Sequence, residues 1–124
     1  MAVMSYLFEI EGADVWSPSH RAGKLFVGMV TAAADMAKLP NGLGPNLGEM
    51  YEIDRQEFQN LVQELLTIRA NSDHRYLVMM LDGVLPIMIA MIERVGYPVR
   101  PNTEAEAGYL SWVREQELPM NKIR

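Results

Sequence analysis

Polar and apolar residues alternate over residues 5–10, with Tyr6, Phe8 and Ile10 on one side, and Glu11-Gly12 turns the chain before Asp14-Val15-Trp16. A period of two with a glycine turn predicts a short β-hairpin within residues 1–17. The period then changes. Ser17-Pro18 supplies a cap and a proline suited to the first helical position, so a helix is expected from Pro18. Its apolar residues Ala22, Leu25, Phe26, Met29, Val30, Ala33, Met36 and Ala37 recur at three- and four-residue steps, which predicts one buried stripe ending at Pro40. Residues 41–48, with three glycines, two asparagines and a proline, read as an irregular loop that resists helix and strand alike. No lysine or Ser/Thr follows them as in a phosphate-binding loop.

Asp54 with Glu57 three positions later forms a capping-box pattern for a second helix, whose buried stripe is Phe58, Leu61, Val62, Leu65 and Leu66. Asn71-Ser72-Asp73 interrupts the chain, and a third helix is expected over residues 74–95, kinked at Pro86 and ended by Gly96-Tyr97-Pro98. Thr103 and Glu106 repeat the capping pattern for a fourth helix bearing Ala107, Leu110 and Val113. The expected fold class is therefore mainly α. A short N-terminal hairpin precedes a bundle of about four helices over residues 18–117, with a central, Pro-kinked apolar helix and a tail at 118–124. One domain should span 1–124.

The run 77–92 is apolar on every helical face and holds four methionines, yet it contains Asp82, Gly83 and Pro86. An all-round apolar helix must be enclosed, so an ionisable group inside it needs a partner or a use. The run is short for a bilayer, which needs roughly 20 residues, and it carries a carboxylate; a buried core helix is the expectation, with no membrane partner.

The chain has 124 residues, 49% of them hydrophobic and 22% charged, which suits one globular core. A formal net charge of −5 without a Lys/Arg cluster argues against nucleic-acid binding. The absence of cysteine excludes disulfides, thiolate metal sites and cysteine nucleophiles. Glu9 and Glu11 fall where an export signal needs an apolar run, so a cytoplasmic location is expected.

The strings Ser5-Tyr6-Leu7-Phe8-Glu9-Ile10, Trp16-Ser17-Pro18-Ser19, Leu39-Pro40-Asn41-Gly42-Leu43-Gly44-Pro45, Ile53-Asp54 and Glu93-Arg94-Val95-Gly96 together resemble a family of small actinobacterial single-domain proteins of unknown function. The resemblance covers residues 4–96. It implies a bacterial, cytoplasmic, single-domain protein and carries no activity or catalytic residue. A family-like start at Met4-Ser5 marks Met1-Ala2-Val3 as an extension or an alternative start.

Asp82 is the leading candidate for chemistry. Pro86 lacks an N–H, so in a continuous helix the Asp82 carbonyl loses its partner and one residue presents both a carboxylate and a free carbonyl. It would serve as an acid or base of raised pKa, or simply accept hydrogen bonds from Trp16, His20 or Arg21. Arg75, Asp82 and Glu93 recur at spacings that return to one helical face and could form a polar stripe. His20 and His74 sit in the first turns of expected helices. With Asp82 they would suit a metal, but no H-x-x-E or H-x-x-x-H spacing supports one, and neither a metal nor a cofactor is expected. A triad of Ser17 or Ser19 with His74 and Asp82 lacks a nucleophile elbow.

The ten methionines are expected first as core filling and otherwise as adaptable lining for a pocket or a partner helix, whereas Trp16, Tyr51, Tyr97, Tyr109 and Trp112 exceed what a small core absorbs. Trp16, Tyr51, Met79, Pro86, Tyr97 and Trp112 are the candidate binding residues. The leading expectation is a non-enzymatic helical binding or accessory protein of the bacterial cytoplasm, acting through a protein partner or as a homodimer. The alternative is a cyclase- or isomerase-type enzyme taking a hydrophobic small molecule into an apolar pocket, with Asp82, His74 and His20 as proton-transfer groups. A third possibility, from the negative charge alone, is an immunity-like protein that neutralises a basic toxin.

Overall fold

The computed structural model describes residues 6–116. The 118–124 tail and the Met1-Ala2-Val3 extension lie outside the described residues. Strands β1 (Leu7–Ile10) and β2 (Ala13–Trp16) lead into helix α1 (His20–Ala37). Strands β3 (Leu43–Asn46) and β4 (Met50–Ile53) follow, then helices α2 (Arg55–Asn71), α3 (Arg75–Asp82), α4 (Leu85–Arg94) and α5 (Glu104–Glu115).

The mainly α expectation is overturned by the sheet. The hairpin does not stand alone but forms half of a four-stranded mixed sheet in the order β2-β1-β4-β3, in which β1 pairs antiparallel with β2 and parallel with β4. The reason is backbone accounting. Once β2 covers one edge of β1, the other edge still needs partners, and residues 50–53 supply them in the register Phe8↔Tyr51, Ile10↔Ile53. The glycine-rich segment expected to be a loop becomes β3, an edge strand whose pairing with β4 is irregular between Leu43 and Asn46. Glycine suits such an edge. A Cβ at Gly44 would stand 2.5 Å from the Glu52 carbonyl oxygen, so a larger residue would push the strand away.

On the inner face, Phe8 stacks with Trp16 and Tyr51, and Phe26 of α1 meets Phe8 and Trp16 edge-on. Tyr6 lies directly on Gly23, where a Cβ would come within 2.4 Å of its ring. On the outer face three carboxylates become neighbours, since Glu9 is opposite Asp14 on one side and Glu52 on the other. A shared hydrogen bond with Asp14, followed by burial and the repulsion of Asp14 and Glu52, holds the Glu9 pKa above the usual carboxylate value. A raised carboxylate pKa means the folded state takes up its proton more readily than the unfolded chain, so this group's penalty is present at neutral pH and relieved as pH falls through the raised value. Glu9→Gln is therefore expected to raise stability at pH 7 by less than about 1 kcal/mol. The gain should fade on acidification, and chemical denaturation at both pH values checks it.

The helices start where local chemistry directs, with one shift. Asp54 accepts from the Glu57 N–H at 2.9 Å and Thr103 from the Glu106 N–H at 3.1 Å, as the capping patterns predict. At α1 the cap is Ser19, not Ser17, and the helix begins at His20; the Pro18 carbonyl instead accepts from the Tyr6 N–H.

The single kinked helix expected over residues 74–95 is two helices, α3 and α4. Gly83 and Val84 tighten the chain with i→i−3 bonds to Met80 and Leu81, and Val84 at φ −124° leaves the helical path. Pro86 becomes the second residue of α4, where a missing N–H costs no helical bond, so it starts a helix rather than bending one. Arg75–Arg94 is by length and composition apolar enough to cross a membrane, but it is divided here and α4 is used as core. Leu85, Met88, Ile89, Met91 and Ile92 are buried, and α4 packs on α2, whose Phe58, Leu61, Val62, Leu65 and Leu66 are fully enclosed. The enclosure expected for the whole run holds only for this half. On α3, Met79 and Met80 are each 62% exposed.

Candidate functional site

Asp82 ends α3 and faces α2 and α5. Arg69, in the last turn of α2, donates from Nε to Oδ1 at 2.7 Å and from Nη2 to Oδ2 at 3.2 Å, while the Tyr109 hydroxyl of α5 donates to Oδ1 at 2.9 Å. The Arg69 guanidinium also lies 4.6 Å above the Tyr109 ring. Asp82 raises the Arg69 pKa, and burial followed by the Asp82 carboxylate pushes the Tyr109 hydroxyl well above the ordinary tyrosine value, so Tyr109 remains a donor at any physiological pH. Three helices are fastened at one carboxylate. The partners expected for Asp82, namely Trp16, His20 and Arg21, are replaced by Arg69 and Tyr109.

The other candidates scatter. The His74 imidazole caps α3, its Nδ1 accepting from the Leu77 N–H at 3.2 Å. His20 lies 3.3 Å from Glu49 and edge-on to Tyr6. The side chains bonded to Asp82 are Arg69 and Tyr109 and not either histidine, and Ser19 is committed to capping α1. Among the described residues no group of three His, Cys, Asp or Glu side chains could hold a metal ion. The proposed stripe also divides. Glu93, on α4, binds Arg114 and accepts from the Val99 N–H at 2.9 Å, tying α4 to α5 instead of sharing a face with Asp82.

Of the candidate binding residues, Trp16 and Pro86 are buried, and Tyr51 is half-buried within the aromatic core. The Tyr97 hydroxyl donates to Glu11 at 2.7 Å, with Arg55 stacked 4.5 Å above its ring. Met79 and Trp112 are exposed on α3 and α5.

An open apolar surface lies between α1 and α3. Met29, Ala32, Ala33 and Met36 on one side and Leu77, Met80, Leu81 and Val84 on the other enclose a groove of about 270 Å³. Its lining is almost entirely apolar, and methionines supply its most adaptable walls. Beside it Leu25 projects from α1 at 65% exposure. The single buried stripe expected on α1 is therefore two. Gly23, Phe26, Val30, Ala33 and Ala34 face the core, whereas Ala22, Leu25 and Met36 face out. Reading all eight apolar positions as one face missed this groove. The signal was there, because the stripe is wider than one packing partner covers. Arg69 and Tyr109 carried no comparable signal, since each looks like an ordinary surface residue of its own helix.

A family model described as a family of unknown function, DUF6086, matches residues 4–122. This extends well past the residues 4–96 that carried the resemblance. No curated protein and no solved structure matches the chain.

Proposed function

The chain belongs to the DUF6086 family, whose function is unknown, and from that premise we propose that it is a non-enzymatic binding module whose working surface is the α1/α3 groove. The observation that carries this reading is the coincidence of a well-formed apolar groove with exposed methionines and a projecting leucine on one face. A contiguous apolar patch on a folded surface marks an interaction site, and flexible methionine walls suit a protein side chain better than a rigid small molecule. The ligand class is an apolar side chain presented by a protein partner, with the protein serving as an accessory factor in an actinobacterial cytoplasm. Asp82 supports the same reading from the other direction. Arg69 donates to both its oxygens and Tyr109 to Oδ1, an arrangement that fastens helices and leaves little of the carboxylate for proton transfer.

The test uses the neutral dye 1-N-phenylnaphthylamine with the protein dilute. One dye per chain should bind with enhanced fluorescence, and Met80→Glu should abolish binding while leaving the unfolding free energy within about 0.5 kcal/mol of wild type, as expected for an exposed position. Absence of dye binding, or binding indifferent to Met80→Glu, would remove the groove as the working surface.

A further inference from the structure

We propose that the groove receives Leu25 from a second copy of this chain, delivered by two α1 helices packing antiparallel about a two-fold axis. The proposal rests on the groove reading above and names its occupant. Three observations carry it.

The outer face of α1 bears Ala22, Leu25, Met29, Ala32 and Met36 at alternating steps of three and four. That spacing is the seam of a helix paired with another helix, and no element among the described residues covers its exposed members. Three members of this seam, Met29, Ala32 and Met36, also form most of the α1 wall of the groove, so a helix laid on the seam reaches the groove.

The rim of the seam is self-complementary. Arg21, Gly28 and Asp35 follow one another at seven-residue steps along one flank. An antiparallel two-fold centred on this stretch sets Arg21 opposite the partner's Asp35, and the symmetry repeats the pair at the other end. Among the described residues neither side chain has an ion-pair partner. A partner of unrelated sequence would need this alternation by coincidence, whereas a second copy supplies it automatically.

The steric pattern agrees with the charges. In the same register Gly28 meets the partner's Gly28, and a Cβ there has nothing within 4 Å in the single chain, which leaves the space for a close helix crossing. Ala22 then faces the partner's Ala32, and Leu25 faces the partner's Met29 at the groove mouth. Small residues at the ends let the backbones approach, and the large pair in the middle becomes a knob entering a hole. An isologous interface needs knob and hole on one surface, and α1 with α3 presents both.

Sedimentation equilibrium at physiological salt tests the proposal with the full chain. Wild type should run as a dimer at micromolar concentration, and Leu25→Glu should weaken association by about 100-fold or more, as for a buried central anchor. Arg21→Glu and Asp35→Arg should each weaken it by roughly tenfold by opposing like charges, and the double variant should recover most of the loss. All three positions are solvent-facing in the single chain, and circular dichroism confirms the fold of each variant. A wild type that stays monomeric, a dimer indifferent to Leu25→Glu, or a double variant without recovery overturns this pairing. The dye separates this failure from failure of the groove itself. A monomeric wild type that still binds dye in a Met80-dependent way keeps the groove and assigns it to a different protein chain. In the proposed dimer, raising the wild-type concentration displaces the dye, and Leu25→Glu retains it.

Discussion

Leu85→Ala is expected to lower folding stability by about 2–5 kcal/mol, the range for removing a fully buried leucine when its surroundings relax only in part. Leu85 is 0% exposed and opens α4, directly before Pro86. Collapse into the vacated space is restricted there, because Pro86 fixes the backbone and Gly83-Val84 already turns as tightly as i→i−3 bonding permits. The loss should therefore fall in the body of the range rather than at its lower edge. Urea titration with the slope held equal to wild type measures it. Met80→Ala is the paired control, measured with the protein dilute, removing a comparable apolar side chain from a position exposed in the single chain, and should change stability by no more than about 0.5 kcal/mol. Equal effects at the two positions would mean that α3 and α4 are buried alike, contrary to this fold.

Asp82→Asn is expected to destabilise the protein by roughly 1–3 kcal/mol, the cost of disturbing charge-assisted hydrogen bonds. The amide keeps the shape and one acceptor, so Tyr109 can still donate to it, but Arg69 loses its counter-charge and one of two acceptors. Partial exposure, 27% for the Asp82 side chain and 22% for Arg69, keeps the loss below that of a fully enclosed pair. A double-mutant cycle with Tyr109→Phe should show coupling, because both hydroxyl and guanidinium converge on Oδ1. The opposite result is equally informative. A carboxylate held as a poised base sits there at a cost, so its removal would stabilise the fold. A gain in stability for Asp82→Asn would return the acid–base reading to the front.

Asp82 was legible as a special residue because one carboxylate interrupts a run apolar on both sides. What satisfies it was not legible. Arg69 and Tyr109 are 13 positions before it and 27 after it, and only the packing of α2 and α5 against the end of α3 turns their side chains inward. The histidines show the same division. A capping role for His74 follows from its place at a helix start, whereas the pairing of His20 with Glu49 depends on how the β3–β4 turn meets α1.

Local chemistry determined what local interactions can determine. The alternation of Tyr6, Phe8 and Ile10 is a strand with one buried face, and Asp54 and Thr103 accept N–H groups that a helix start always leaves over. The stripe Phe58, Leu61, Val62, Leu65 and Leu66 is core whichever element covers it. Tertiary structure decided the rest, because each remaining choice is a competition between distant segments for the same backbone or apolar surface. The parallel pairing of β1 with β4 satisfies hydrogen-bonding groups more than 40 residues apart, and it turned a glycine-rich loop into an edge strand. Pro86 bends a helix or begins one according to whether Gly83 and Val84 keep helical geometry, and packing of α4 on α2 took it out of that geometry. The apolar width of α1 exceeds what one core can cover, and only the position of α3 shows which part remained outside and made a groove.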